Sequence, residues 1–134
     1  MFKMSRQADY ALQFLTELAR LPDGEFLSIR TFATKSTISF LFLQRIAAAL
    51  RHAGIVSAVK GAAGGYYLAR PIQNITVKDV IEAVDGPFGM VACQTPGKTC
   101  SKEGVCTTKE TMKQLNDQIS TLLSHTSIRT FIRS

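Results

Sequence analysis

The order of patterns between residues 28 and 71 constrains the fold of this 134-residue chain most strongly. Two helical patterns, each beginning at a serine that can cap a helix, are separated by a short polar turn. The second pattern ends at Gly54, and a strand-like run follows it directly. Two helices joined by a tight turn predict a helix-turn-helix, and a hairpin directly behind the second helix predicts its winged variant.

The helical patterns also predict which apolar side chains form the core. A first helix is capped by Ser5 and ends at Pro22-Asp23-Gly24, while Ser28 and Ser39 cap the second and third helices. The expected inward-facing residues of these three helices are Ala8, Ala11, Leu12, Leu15, Leu18, Ala19, Ile29, Phe32, Ala33, Leu43, Ile46, Ala47 and Leu50.

A glycine-rich tip joins two strand patterns, residues 55–59 and residues 66–68. Small residues at the tip, Gly64 and Gly65 among them, would let backbone amides approach a phosphate, and Lys60 adds positive charge. A plain surface turn is the alternative. The position of the hairpin behind the helix-turn-helix favours a wing over that alternative.

The second half of the chain contains two further helical patterns. Thr76-Val77-Lys78-Asp79 resembles a capping box and starts a helix with Val77, Val80, Ile81 and Val84 facing the core, which Gly86-Pro87 ends. Near the C-terminus, apolar residues recur at alternating three- and four-residue steps on a polar helix. Two chains could share this stripe in a dimer, or the helix could fold back on its own domain. The stripe consists of Met112, Leu115, Ile119 and Leu122.

The predicted fold class is mainly α with a small β-hairpin wing, a winged helix-turn-helix followed by a long C-terminal dimerisation helix. Residues 1–85 should form the DNA-binding domain, residues 86–106 a cysteine-rich loop that binds a cofactor, and residues 107–134 the dimerisation helix and tail. A chain of this length supports one compact core.

The distribution of charge predicts an anionic partner. The stretch from Phe26 to Lys78 contains seven Lys or Arg residues and no Asp or Glu, in a chain with a formal charge of +6. A solvated basic face is the alternative, but so long a gap without acids favours nucleic acid. The apolar runs are too short to cross a bilayer, and there is no secretory signal pattern near Met1. The sequence therefore predicts a cytoplasmic protein with no membrane partner.

The predicted fold specifies which residues should meet double-stranded DNA. The N-terminal turn of the third helix enters the major groove in this motif, so Ser39, Leu41 and Gln44 are the expected base-reading residues. Leu41 could touch a thymine methyl group and Gln44 could pair with adenine, with core packing as the alternative for Leu41. The expected contacts to phosphates or the minor groove come from Arg45, Arg51, Lys60, Gly64 and Gly65, with Arg6 and Tyr10 adding backbone contacts from the first helix.

All three cysteines, Cys93, Cys100 and Cys106, lie in the predicted loop. In a reducing compartment, an odd number of clustered thiols favours metal binding or redox chemistry over a structural disulfide framework. Inert buried thiols fit a loop badly, and zinc sites usually contain a closer cysteine pair than either gap here provides. A reversible thiol switch without metal remains open.

The segment from Leu50 to Tyr66, together with residues 76–85 and the three-cysteine loop, resembles the bacterial winged-helix repressors of the Rrf type, the family that includes IscR and NsrR. The resemblance covers nearly all of the chain. It implies a homodimeric transcription regulator that reads a partly palindromic operator and carries a two-iron or four-iron cluster with sulfide in each subunit. The implied signals are nitric oxide, redox state or iron–sulfur status, and relatives differ in whether the cluster strengthens or weakens DNA binding.

Three thiolates leave one position of such an iron–sulfur cluster unfilled, which favours sensing over electron transfer. Relatives of the IscR kind place a histidine three residues after the last cysteine, where this chain has Lys109. The resemblance to NsrR-like relatives implies Asp9 of the other subunit as the fourth ligand. An exposed carboxylate near a positive helix N-terminus is the alternative for Asp9, and Glu103, His125 and an external thiol also remain candidates.

One motif raises the question of an enzyme. The run from Ala92 to Thr99 fits a relaxed phosphate-loop pattern. That motif requires a buried strand before it and a helix opening at its Lys-Thr, yet glycine and proline precede it and Gly104 follows closely. No enzymatic activity, no catalytic residue and no small-molecule substrate are therefore expected.

Lys60→Ala should weaken DNA binding and flatten its salt dependence. Each phosphate that the protein neutralises contributes about 0.9 to the slope of log affinity against log salt concentration. Affinity measured for parent and variant across a salt series checks this prediction. An unchanged slope would refute a charge role for Lys60.

Overall fold

The structure is a computed structural model that describes residues 4–61, 64–89 and 109–132. Within these ranges the chain forms five α-helices, one two-stranded hairpin and two short 3-10 turns, at Ile72–Asn74 and Ile128–Phe131. The helices and strands, in chain order, are α1 Arg6–Ala19, α2 Ile29–Ser36, α3 Phe40–His52, β1 Val56–Val59, β2 Gly65–Leu68, α4 Val77–Asp85 and α5 Lys109–Ser124. The mainly helical class with a small β wing is confirmed.

The first four helices begin at the cap residues that the sequence predicts. The hydroxyl oxygens of Ser5, Ser28 and Ser39 each accept a hydrogen bond from a backbone N–H in the first turn of their helix. Thr76 and Asp79 form a complete capping box, with reciprocal N···O distances of 3.1 Å and 3.0 Å. Local hydrogen bonds therefore set where each helix starts.

The turn between α2 and α3 is closed by a residue with left-handed backbone geometry. Thr37 has φ 62°, and its N–H donates to the carbonyl of Ala33 at 2.9 Å. This geometry is unusual for a β-branched residue, and it terminates α2 so that α3 can start three residues later. The tight turn fixes the relation between the two helices of the helix-turn-helix.

One hydrophobic core joins the first three helices to the hairpin, to α4 and to the C-terminal segment. Phe14 is fully buried although the predicted stripe of α1 does not contain it. Its ring lies 5.3 Å from the ring of Phe32 and 6.0 Å from the ring of Tyr66, measured between centroids. One aromatic side chain of α1 thus contacts both α2 and the wing.

The hairpin has the antiparallel register Val56↔Leu68 to Val59↔Gly65. Its second strand is held on the other side by the segment before α2. The N–H of Leu27 donates to the carbonyl of Tyr66 at 3.0 Å, and the N–H of Tyr66 donates back to Leu27 at 2.8 Å. This isolated bridge ties the second strand of the wing to the segment that leads into α2.

Helix α5 contacts α4, and the segment after it returns to the core of the N-terminal half. The N–H of Val77 donates to the carbonyl of Thr126 at 2.9 Å, and the N–H of Ile128 donates to the carbonyl of Ile75 at 2.9 Å. Ile128 is only 1% exposed. The C-terminal tail is therefore part of the same core as the winged helix-turn-helix.

The described residues contain no helix with the length and apolar character that a membrane span requires.

Ile128→Ala should lower the free energy of unfolding by about 2–5 kcal/mol, because truncation of a buried isoleucine leaves a cavity in the core. Chemical denaturation measures the loss. Arg129→Ala is the matched control, since this neighbouring side chain is exposed and its removal should change stability by no more than about 0.5 kcal/mol. Equal stability of the two variants would contradict docking of the tail.

Candidate functional site

Helix α3 divides into a buried face and a solvent face. The side chains of Leu43, Ile46, Ala47 and Leu50 are at most 1% exposed. Leu41, by contrast, is 68% exposed, so it does not pack in the core. The solvent face of α3 carries the exposed residues Leu41, Gln44, Arg45, Ala48 and Arg51. The predicted readers Leu41 and Gln44 thus share one accessible helix face, as base contact requires.

Ser39 has a structural role beside its predicted contact with DNA. Its hydroxyl oxygen accepts a hydrogen bond from the N–H of Phe42 at 3.4 Å and so caps α3. The side chain is exposed, and a hydroxyl that accepts one hydrogen bond can still donate another. Capping and contact with DNA are therefore compatible at this position.

The start of α1 lies beside α3 and contributes a second cation there. Arg6 and Arg45 line one surface pocket of about 360 Å³, together with Ser5, Gln7 and Phe42. Among the residues that the structure describes, no carboxylate lines this pocket, and the positive end of the α1 dipole lies beside it. Two guanidinium groups and a helix N-terminus form a surface suited to a phosphate, and the DNA contacts of Arg6 and Arg45 stay a prediction.

Tyr10 is the other residue of the first helix that the sequence predicts to contact DNA. Its ring lies edge-on against Phe42 of α3, with 5.6 Å between the centroids and an angle of 78°. Tyr10 is half-buried in this contact. The packing holds the N-terminal part of α1 against the recognition helix.

Two cations of the acid-free stretch are neutralised by carboxylates from outside it. Lys35 pairs with Glu17 at 2.9 Å, and Arg70 pairs with Asp79 at 3.7 Å. Within residues 4–61, 64–89 and 109–132, no ion pair involves the stretch's other five cations, which are Arg30, Arg45, Arg51, Lys60 and Lys78. Arg45, Arg51 and Lys60 thus keep their charge available to an anion.

Gly64 and Gly65 are required by the packing of the wing itself. A Cβ atom at Gly65 would lie 2.7 Å from the backbone carbonyl of Leu27, and one at Gly64 would overlap the carbonyl oxygen of Val59. The close approach in the structure is therefore between backbone segments of the protein. The predicted approach of these glycines to a phosphate is a separate role, and it stays a prediction.

Arg30 is a cation whose position relative to α3 the sequence does not reveal. The Cζ atom of its guanidinium group lies 4.5 Å from the centroid of the Phe40 ring, at the first residue of α3. The acid-free stretch includes Arg30, but only the three-dimensional contact places its charge at the tip of the recognition helix.

Asp9 lies in the first turn of α1 and is exposed. Its carboxylate accepts a hydrogen bond from the side-chain amide of Gln13 at 3.3 Å. It lines a surface pocket of about 620 Å³ together with Ser5 and with Asp85, the last residue of α4. Asp9 is accessible to a ligand, and its pocket borders the end of α4, after which the cysteine-rich segment begins.

Two hydrogen bonds that involve side chains help to hold the end of α4. The hydroxyl of Ser5 donates to the carboxylate of Asp85 at 2.5 Å, and the N–H of Phe88 donates to the carboxylate of Glu82 at 3.0 Å. The first of these connects the N-terminal cap of α1 to the point where the chain leaves α4. The start of the cysteine-rich segment is thereby connected to the helix that carries Arg6 and Tyr10.

The remaining predicted sensor residues are only partly covered by the structure. Cys93, Cys100, Cys106 and Glu103 lie outside the described residues, as does the run resembling a phosphate loop. His125 is exposed just after the end of α5. Among the described residues there is no group of three or more His, Cys, Asp or Glu side chains that could hold a metal ion.

The fold and its basic solvent face define a class of protein, the winged helix-turn-helix regulators that bind DNA. A family model described as Rrf2, iron-dependent transcriptional regulator, matches residues 4–134. The chain belongs to the Rrf2 family, and it is a transcriptional regulator, not an enzyme.

Relatives and solved structures agree with this membership. A putative HTH-type transcriptional regulator of Rhodobacter capsulatus, rrf2-like, is 31% identical over 111 residues, covering 77% of this chain and 74% of that protein. CymR, the global cysteine regulator of B. subtilis, has a TM-score of 0.80 at 26% identity, over 99% of this chain and 98% of that one. IscR of T. potens has a TM-score of 0.76 at 26% identity, over 98% of this chain and 87% of that one.

Leu41→Ala should weaken operator binding on the order of tenfold while leaving stability unchanged, because the side chain is exposed at the end of α3 that is expected to enter the groove. Leu43→Ala is the comparison, since this buried leucine should instead lose about 2–5 kcal/mol of stability. Thermal unfolding and fluorescence anisotropy with labelled duplex separate the two effects. Unchanged DNA affinity in Leu41→Ala would exclude this residue from the interface.

Proposed function

We propose that the chain is a homodimeric bacterial repressor whose affinity for operator DNA is controlled by an iron–sulfur cluster. Cys93, Cys100 and Cys106 provide its thiolate ligands. The observation that carries the proposal is the position of these cysteines, which are the only ones in the chain. All three fall between α4, which is joined to the DNA-binding helices, and α5, which presents the candidate dimer stripe.

The available donors suit an iron–sulfur cluster. Thiolate sulfur is the usual ligand of such clusters, and Lys98 and Lys102, close to the cysteines in sequence, would offset part of their negative charge. Asp9 of the other subunit is proposed as the fourth ligand. Its exposure on α1 supports the proposal, as does the description of the family as iron-dependent.

Helix α5 supports the proposed homodimer. Leu122 is 65% exposed and Leu115 is 40% exposed, whereas Met112 and Ile119 are half-buried. Burial of leucines exposed to this degree under a second copy of the chain would stabilise a dimer. A dimer with two-fold symmetry would present two recognition helices to two half-sites of a palindromic operator.

The proposed control acts through the connection between α4 and α1. When bound, the iron–sulfur cluster supplies iron that reacts with nitric oxide or oxidants. A displacement of the cysteine-rich segment would then be transmitted to α1 through the hydrogen bond from Ser5 to Asp85. From α1 it would be transmitted to α3 through the contact of Tyr10 with Phe42. A coupling of about 3 kcal/mol would already change operator affinity more than a hundredfold.

Iron and sulfide analysis of anaerobically purified protein, with its absorption spectrum, tests the proposal. The parent should contain both elements and be coloured, while Cys100→Ala should lose them because one thiolate ligand is gone. Asp9→Asn should lose iron faster on exposure to air than Asp23→Asn, a matched change at another exposed carboxylate. A colourless parent without iron, or full iron and sulfide content in Cys100→Ala, would contradict the proposal.

The likeness to B. subtilis CymR, the global cysteine regulator, favours a second candidate function. In this alternative the cysteines act as a thiol switch without metal, and their reversible oxidation changes DNA affinity. Protein purified without oxygen would then be colourless. Peroxide would change its affinity for DNA, and a dithiol reductant would restore it.

A further inference from the structure

We propose that Arg30 is a further DNA-binding residue, which holds a phosphate beside the major groove while the ring of Phe40 positions its guanidinium group. The inference rests on the proposed function only in its use of α3 as the recognition helix. It does not depend on the iron–sulfur cluster.

The geometry places the charge of Arg30 at the tip of α3. Arg30 lies in the first turn of α2, and its Cζ atom lies 4.5 Å from the centroid of the Phe40 ring. Phe40 is the first residue of α3, it is half-buried, and it packs against the hydrophobic core. A ring held by the core therefore fixes a guanidinium group at the first residue of α3, at the end of the helix that is proposed to enter the groove.

The contact with Phe40 leaves hydrogen-bonding capacity of Arg30 free. A guanidinium group carries five N–H donors in one planar fork with three edges, so a single ring beside it leaves at least one edge open to an acceptor. Two parallel N–H bonds from such an edge match the oxygens of a phosphate. The ring reduces the freedom of the side chain before binding, which lowers the entropic cost of that contact.

The electrostatic surroundings distinguish Arg30 from the other cation of α2. Lys35 pairs with Glu17 at 2.9 Å, whereas no ion pair involves Arg30 in the part of the chain that the structure describes. Arg30 is exposed, and its side chain contacts the ring of Phe40. Its charge is therefore available to an anion from outside the protein.

The location favours a phosphate over a base. In a helix-turn-helix the first helix crosses the DNA backbone, while base edges are read from the start of the second helix. Arg30 belongs to the first of these helices, and Leu41 and Gln44 occupy the exposed face of the second. Arg30 should therefore contribute to affinity for any duplex, without preference for sequence.

The test compares Arg30→Ala with Lys35→Ala in the full chain, using an operator selected from random duplexes and a scrambled duplex. Fluorescence anisotropy across a salt series should show that Arg30→Ala weakens binding to both duplexes by a similar factor, on the order of tenfold. The slope of log affinity against log salt should fall by about 0.9. Lys35→Ala should leave the slope unchanged, because Glu17 already neutralises that lysine.

Phe40→Leu tests the positioning role of the ring, since it keeps an apolar side chain in the core. Arg30 keeps its charge in this variant, so binding should weaken less than in Arg30→Ala while the salt slope stays near that of the parent. Thermal unfolding of Arg30→Ala should match the parent, which separates loss of contact from loss of fold. If Phe40→Leu bound DNA with the same affinity as the parent, the positioning role of the ring would be overturned.

Two results for Arg30→Ala would overturn the phosphate contact. One is an unchanged salt slope, and the other is a loss confined to the selected operator, which would indicate base reading. A different observation would contradict the proposed function, namely that the parent binds DNA with equal affinity with and without iron. In that case a lower salt slope in Arg30→Ala would still support the phosphate contact of Arg30.

Discussion

The packing of α3 against α1 determines which face of the recognition helix is left for DNA. Leu43, Ile46 and Leu50 are buried against a core that contains Phe14 and Leu15 of α1. Burying each of these large apolar side chains contributes about 1.5–3 kcal/mol, so the orientation of α3 about its own axis is strongly fixed. Leu41, Gln44 and Arg45 are consequently directed to solvent.

Packing between the helices also brings charged groups of separate elements close to one another. Arg6 at the start of α1 shares a pocket with Arg45 of α3, and Arg30 of α2 contacts the ring of Phe40, the first residue of α3. Asp9 follows Arg6 by one turn and borders the end of α4. In the proposed mechanism, a change at the cysteine-rich segment reaches α3 through α1, by way of the hydrogen bond from Ser5 to Asp85 and the contact of Tyr10 with Phe42.

Features that depend on neighbours in sequence could be predicted well. The caps at Ser5, Ser28 and Ser39 and the capping box at Thr76 are local hydrogen bonds, and the stripe of α3 follows from helical spacing. The docking of Ile128 could not be predicted, because the residues that bury it lie far away in the chain.

In the candidate site, too, only the features set by local sequence could be predicted. The exposed face of α3 follows from its stripe, whereas the neutralisation of Lys35 by Glu17 depends on how α1 and α2 pack together. The contact between Arg30 and Phe40 spans a turn whose geometry depends on the left-handed residue Thr37. The ligand set of the iron–sulfur cluster stays a prediction, since its three cysteines lie outside the described residues.

Operator affinity with and without the iron–sulfur cluster is the most direct test of the central claim. Anaerobic protein with its iron, the same protein after chelation, and the variant with all three cysteines replaced by alanine would be titrated with one operator duplex. The account predicts that the first two differ by at least about tenfold and that the alanine variant matches the chelated protein. Equal affinity of all three forms for the operator would contradict it.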